Sequence, residues 1–164
     1  DVFAHNIEVV RRLTPSIRDQ RCDYDRSLEV LRHAKERAPE RFVKSSVMVG
    51  IGEGDDEVER TLTDLRAVGV DVVTLGQYLR PSSKHAPVHR YVEPRRFEAW
   101  AELGRELGFA HVASGPLVRS SYHAAEAFIS ALVRPSAPAP QASSGAAPAG
   151  FVPAGRLRRR TADG

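Results

Sequence analysis

Three short stretches bring glycine together with carboxylate, amide or hydroxyl groups at spacings that could do chemistry. Gly50-Ile51-Gly52-Glu53-Gly54 offers a backbone that can approach a ligand closely, one carboxylate and the start of a helix. It is not a Walker A loop, because no Gly-Lys-Ser/Thr follows, and it lacks the third glycine of the dinucleotide fingerprint. Taken alone, it reads first as a tight strand-to-helix turn. Gly76-Gln77-Tyr78-Leu79-Arg80-Pro81 supplies an amide able to read a purine edge and apolar groups to pack on its face. Taken alone, a Tyr beside a Leu reads as core. Gly115-Pro116-Leu117-Val118-Arg119-Ser120-Ser121-Tyr122-His123 sets two hydroxyls and a guanidinium ahead of a helix. That suits anion or metal binding, or an ordinary helix cap. A hydroxyl nucleophile would need a His–acid partnership, and sequence alone does not place His111 or His123 for one.

Other reactive side chains point to less. His85 and His89 are four apart but in a proline-bearing loop rather than on a helix, so the spacing is a poor match to a zinc site. Cys22 is the single thiol, flanked by Arg21 and Asp23; it reads as structural or surface, in a reducing compartment. Residues 1–134 hold 20 basic and 20 acidic side chains, so the excess of 24 Lys+Arg over 21 Asp+Glu comes from Arg156, Arg158, Arg159 and Arg160. The body therefore shows no nucleic-acid footprint, and the arginine run reads as a solvated end. No apolar run approaches the roughly 20 residues of a membrane helix. The first residue is Asp rather than Met, which reads as a chain that begins inside a longer protein.

Alternating strands and helices must position these groups. Asn6 is expected to cap a short helix with Ile7, Val10 and Leu13 on one face, ended by Pro15. Asp23 caps a longer helix carrying Leu28, Leu31 and Ala34, stopped by Pro39. Phe42 to Val49 is an apolar, β-branched strand, and Asp55 or Asp56 opens a helix with Val58, Leu62, Leu65 and Val68 as its buried stripe, closed by Gly69. Val72 to Leu75 is a strand, Pro94 starts a helix bearing Phe97 and Trp100, His111 to Ser114 is a last strand, and a helix runs from about Tyr122 to Val133. From Pro135 onward, Pro, Ala, Gly and Ser fill 20 of 30 positions, which predicts a disordered tail over 135–164. About three strands, joined through helices, must be parallel. Such a sheet is α/β and looks like part of a (β/α) barrel, with ligands expected at the carboxyl ends of the strands.

Five co-linear blocks carry a resemblance. Asp1-Val2-Phe3-Ala4-His5-Asn6-Ile7-Glu8, Asp23-Tyr24-Asp25-Arg26-Ser27-Leu28, Lys44-Ser45-Ser46-Val47-Met48-Val49-Gly50-Ile51-Gly52-Glu53 and Thr74-Leu75-Gly76-Gln77-Tyr78-Leu79-Arg80-Pro81-Ser82 with Val88-His89-Arg90-Tyr91-Val92 resemble lipoyl synthase. So does Gly108 through Ala124, with Arg119-Ser120-Ser121-Tyr122 at its centre. The resemblance runs from Asp1 to about Ala125 and corresponds to a C-terminal half. It implies a radical S-adenosylmethionine enzyme with a partial parallel (β/α) barrel over 1–134. The activity implied is insertion of two sulfurs at C6 and C8 of a protein-bound octanoyl-lysine. One [4Fe-4S] cluster cleaves S-adenosylmethionine to a 5′-deoxyadenosyl radical, and a second is consumed as sulfur donor.

By the same resemblance, Gly50, Gly52 and Glu53 line the S-adenosylmethionine site, Gln77 and Leu79 fit its adenine side, and Asn6 and Glu8 follow an earlier strand and bind the same ligand. Ser121, with Ser120 as alternative, is the implied serine ligand of the auxiliary cluster; an alkoxide–iron bond is harder than a thiolate one, favouring release of that iron. The partners implied are octanoylated carrier domains of dehydrogenase E2 subunits and the glycine cleavage H protein, with ferredoxin or flavodoxin as electron donor, in the cytoplasm, without nucleic acid or membrane. The family's two cysteine triplets lie upstream of this stretch, and Cys22 matches no cluster ligand, so the chain by itself is expected to be inactive. Two other readings remain in view: a non-catalytic module binding S-adenosylmethionine or the carrier, and RNA binding through the arginine-rich tail.

Overall fold

A computed structural model describes residues 2–119. Four parallel strands, β1 (Val2–Ala4), β2 (Phe42–Val49), β3 (Val72–Gln77) and β4 (His111–Gly115), lie in the order β1-β2-β3-β4. The helices are α1 (Thr14–Ile17, after a 3-10 turn at Arg11–Leu13), α2 (Tyr24–Arg37), α3 (Asp55–Ala67) and α4 (Pro94–Glu106). The fold is thus α/β, built as a consecutive part of a (β/α) barrel. Because every strand runs the same way, all four carboxyl ends meet at one edge of the sheet.

The helices form where the apolar period asks for them. On α2 the Asp23 carboxylate accepts from the Arg26 N–H, and Tyr24, Ser27 and Leu31 are buried. On α3 Val58, Leu62 and Leu65 are fully buried against Val43, Val47, Val49, Val73 and Leu75 of the sheet. Phe97 and Trp100 of α4 meet edge to face, 5.7 Å between ring centroids. A buried leucine such as Leu62 contributes roughly 1.5–3 kcal/mol. Gly69 and Gly108 follow α3 and α4 at φ +87° and +86°, the left-handed end that glycine permits. Asp71 fixes the other end of the sheet, its carboxylate taking the Val43 N–H and the Lys35 ammonium, each at 2.8 Å.

The first 17 residues depart from the sequence expectation. Asn6 caps no helix: Val2–Ala4 is a fourth, exposed edge strand, and Glu8 bridges to Val47. Pro15 does not end a helix but sits in the first turn of α1, where a missing N–H costs nothing. Strand β3 also runs two residues further than Leu75, to Gln77. The expected helix at 122–133 and the 135–164 tail lie outside the described residues. Among the described residues no helix is long and apolar enough to cross a membrane.

Candidate functional site

The carboxyl end of β1 delivers the chain to Glu8. Its N–H donates to the Ser46 carbonyl at 3.0 Å and its carbonyl accepts from the Met48 N–H at 2.7 Å, so it extends the sheet by one rung. Glu8 does this at φ +67°, the one described non-glycine residue with positive φ. Such a conformation costs about 1–2 kcal/mol. It is held by the burial of Ile7, Val9 and Val10 and by the Ile7 N–H bond to Ser45 Oγ at 3.1 Å. Asn6 Nδ2 donates to Glu8 Oε1 at 3.1 Å and orients the carboxylate. Strain kept at a strand end is a mark of a site rather than of a framework.

The turn after β2 is closed on itself. Glu53, its side chain 1% exposed, accepts from the N–H groups of Gly50 (2.7 Å), Ile51 (3.0 Å) and Gly52 (3.2 Å). Gly50 and Gly52 have φ of +98° and +123°. A Cβ on Gly50 would lie 2.3 Å from Gln77 Nε2 and 2.5 Å from the Arg90 carbonyl, so this position must be bare. Two arginines brace the turn from outside. Arg12 donates to the Gly52 carbonyl at 2.8 Å and to both oxygens of Glu57, whose carboxyl also takes the Gly54 N–H. The Arg12 guanidinium holds the Glu57 carboxyl below its usual range. Arg90 reaches Asp55 at 2.6 Å and Glu53 at 3.7 Å.

After β3 the Gln77 amide acts as a staple. Its Nε2 donates to the Tyr78 and Arg90 carbonyls (3.0 and 3.1 Å), and its Oε1 accepts from the Val92 N–H at 2.9 Å. The loop 88–92 is thereby strapped over the turn, and the His89 and Arg90 N–H groups both reach the Gly50 carbonyl. Tyr78 is buried with Val9 and Ile51, its hydroxyl donating to the Ala86 carbonyl. Leu79, by contrast, is 51% exposed.

Between these parts lies a cavity of about 250 Å³ lined by Glu8, Met48, Gln77, Leu79, Pro81 and Arg119, among others. Its wall is mostly apolar, with one carboxylate and one guanidinium, and the second Glu8 oxygen makes no hydrogen bond among the described residues. That arrangement can take hydroxyl or ammonium donors at Glu8 and a flat apolar group against Met48 and Leu79. A larger groove, about 740 Å³, runs along α2 beside Phe3 and Val30, on the open side of the edge strand and away from the carboxyl ends.

No family model matches the chain. It is 58% identical to lipoyl synthase of Sorangium cellulosum over 90% of its own length and 43% of that protein's. It is 57% identical to a chloroplastic lipoyl synthase of Zea mays (82% and 36%) and 56% identical to a mitochondrial one of Branchiostoma floridae (81% and 35%). The chain belongs to the lipoyl synthase family. It spans less than half the length of these curated relatives and matches a C-terminal part of them.

In lipoyl synthase terms, the seven expected ligand-binding residues separate into two groups. Glu8, Gln77 and Leu79 line the cavity, with Asn6 behind Glu8. Gly50, Gly52 and Glu53 form the adjoining turn, whose amides and carboxylate are matched to one another. The Gln77 amide is likewise taken up by backbone. The bracing roles of Arg12 and Arg90 carry no local sequence signal: the bonds from Arg12 to Gly52 and Glu57 span 40 and 45 residues. Ser120 and Ser121 lie outside the described residues. Among the described residues no three His, Cys, Asp or Glu side chains gather as a metal site. His85 bonds Ser82 Oγ instead, and Cys22 stands alone.

Proposed function

We propose that this chain forms the S-adenosylmethionine-facing part of a lipoyl synthase. The whole enzyme inserts two sulfurs at C6 and C8 of an octanoyl-lysine carried on a protein. The observation that carries this reading is the 56–58% identity to bacterial and animal lipoyl synthases across at least 81% of the chain. In it the cavity takes the nucleoside: Glu8, aimed by Asn6, receives the ribose hydroxyls, and Leu79 and Met48 cover the adenine. Gly50, Gly52 and Glu53 set the height of the neighbouring wall, and Gln77 locks the strap that closes it. The chemistry supplied by the bound groups is radical initiation from S-adenosylmethionine and sulfur donation from an auxiliary [4Fe-4S] cluster, to which Ser121 (or Ser120) contributes a ligand.

One cysteine among 164 residues is too few for two [4Fe-4S] clusters. The remaining ligands therefore come from the rest of the enzyme, and the chain by itself does not turn over. The same proposal takes ferredoxin or flavodoxin as electron donor, octanoylated E2 and H-protein domains as carriers, and the cytoplasm as location. The test is a chimera in which this chain replaces the stretch it matches in the Sorangium cellulosum enzyme. It should add two sulfurs to an octanoyl-lysine carrier, read by mass spectrometry. A folded, cluster-loaded chimera without product would contradict the proposal.

A further inference from the structure

Among the described residues the exposed large apolar side chains fall into two patches. Val2, Phe3 and Val30 belong to the open edge at β1; Leu79, Tyr91 and Leu117, 51%, 75% and 82% exposed, belong to the carboxyl-end side. Leu79 lies two residues beyond β3, Leu117 two beyond β4, and Tyr91 in the strap that Gln77 holds. Within the loop itself the charge is of one sign. From Val72 to Val92 there is no Asp or Glu, while Arg80, Lys84 and Arg90 are present. Arg90 is matched by Asp55 and Glu53. Among the described residues Arg80 bonds the carbonyls of Ser83 and His85, and Arg119 those of Val118 and Gln77. Lys84 has no carboxylate partner among the described residues. Arg60 with Asp56 and Arg105 with Glu102 show the other arrangement, a surface cation set against a carboxylate.

Apolar anchors ringed by unmatched cations are the anatomy of a surface that receives an acidic protein. Single-stranded nucleic acid would ask for a series of stacking aromatics, and among the described residues Tyr91 is the one exposed aromatic on this side. Leu79 and Arg119 also form part of the cavity wall, so whatever docks here stands at the cavity's mouth.

We propose that the loop 79–91, with Leu117 and Arg119, is the docking surface for an acidic carrier domain that presents the acyl-lysine to the cavity. The inference rests on the proposed function and adds to it the charge and location of partner recognition. Arg80 and Lys84 act by steering the encounter, Tyr91 and Leu117 by holding the docked partner.

The test immobilises the chain and flows over it an octanoyl-lysine carrier domain of net negative charge. Raising salt from about 50 to about 300 mM should slow association about tenfold. Lys84→Glu, at a side chain with no carboxylate partner among the described residues, should slow association by about the same factor and leave dissociation nearly unchanged. Arg80→Gln should do so less, and Tyr91→Ser should speed dissociation. S-adenosylmethionine binding, measured on the same Lys84→Glu protein, should be unaltered. Carrier binding unchanged by both charge variants, no carrier binding by the wild type, or equal competition by an RNA oligonucleotide would each overturn the docking surface. Loss of S-adenosylmethionine binding by the wild-type chain would instead overturn the proposed function.

Discussion

The two glycine-bearing strand ends, after β2 and after β3, look alike in sequence and behave differently in the fold. The first, Gly50 to Gly54, spends its carboxylate and three amides on itself. The second, Gly76 to Pro81, leaves Leu79 exposed and contributes to a cavity with Glu8 opposite. A glycine-rich strand end is therefore either a scaffold or a reader, and the difference lies in whether its polar groups find partners nearby. The Glu53 carboxylate finds them within three residues; among the described residues the Glu8 carboxylate finds Asn6 and keeps an oxygen over.

This contrast sets the order of the expected effects. Gly50→Ala should be the most damaging, because it combines a positive φ with a Cβ at 2.3 Å from Gln77 and 2.5 Å from backbone. A loss on the order of 3 kcal/mol is expected in urea unfolding. A loss under half of that would mean the strap is looser than described. Glu53→Gln places an NH2 group among backbone N–H donors and should cost about 2 kcal/mol. If it instead left stability intact and weakened ligand binding alone, the turn would be a reader after all.

Glu8→Gly should run the other way. Removing a non-glycine residue from φ +67° should raise stability by about 1 kcal/mol while ligand binding falls. A destabilised Glu8→Gly protein would place Glu8 in the framework.

The smallest effect is a pH dependence. Burial lowers the pKa of His5, with Arg18 adding to it, and burial lowers that of His111. The folded chain thus binds fewer protons than the unfolded one just below pH 6.5. Stability is full above that value and is lost as pH falls through the window down to the folded values. A titration by NMR of the His5 ring should show its midpoint below 6.5, and a midpoint above it would contradict the burial described.

Much of this was legible in the sequence, for reasons that differ by segment. The stripes Val58-Leu62-Leu65 and Phe97-Trp100, the Asp23 cap and Pro94 are local signals, and each landed where the 3.6 period put it. The first strand was not legible: Val2-Phe3-Ala4 is too short to alternate and is exposed throughout, so only its pairing with β2 defines it. Without that strand in view, Asn6 reads as a helix cap, whereas the chain there is still following the sheet. The three strand ends were legible as a set, because parallel strands must share a carboxyl edge. The separation of scaffold from reader was not, since it rests on Arg12, Arg90 and Val92 arriving from far along the chain.

The central claim is that the cavity beside Glu8, rather than the Gly50–Gly54 turn, meets the nucleoside. Titrating S-adenosylmethionine into the chain by calorimetry, with wild type and Glu8→Gln side by side, tests it most directly. Saturable binding that weakens about tenfold in Glu8→Gln, with unfolding stability unchanged, is the expected result. Equal affinity in the two proteins would contradict it.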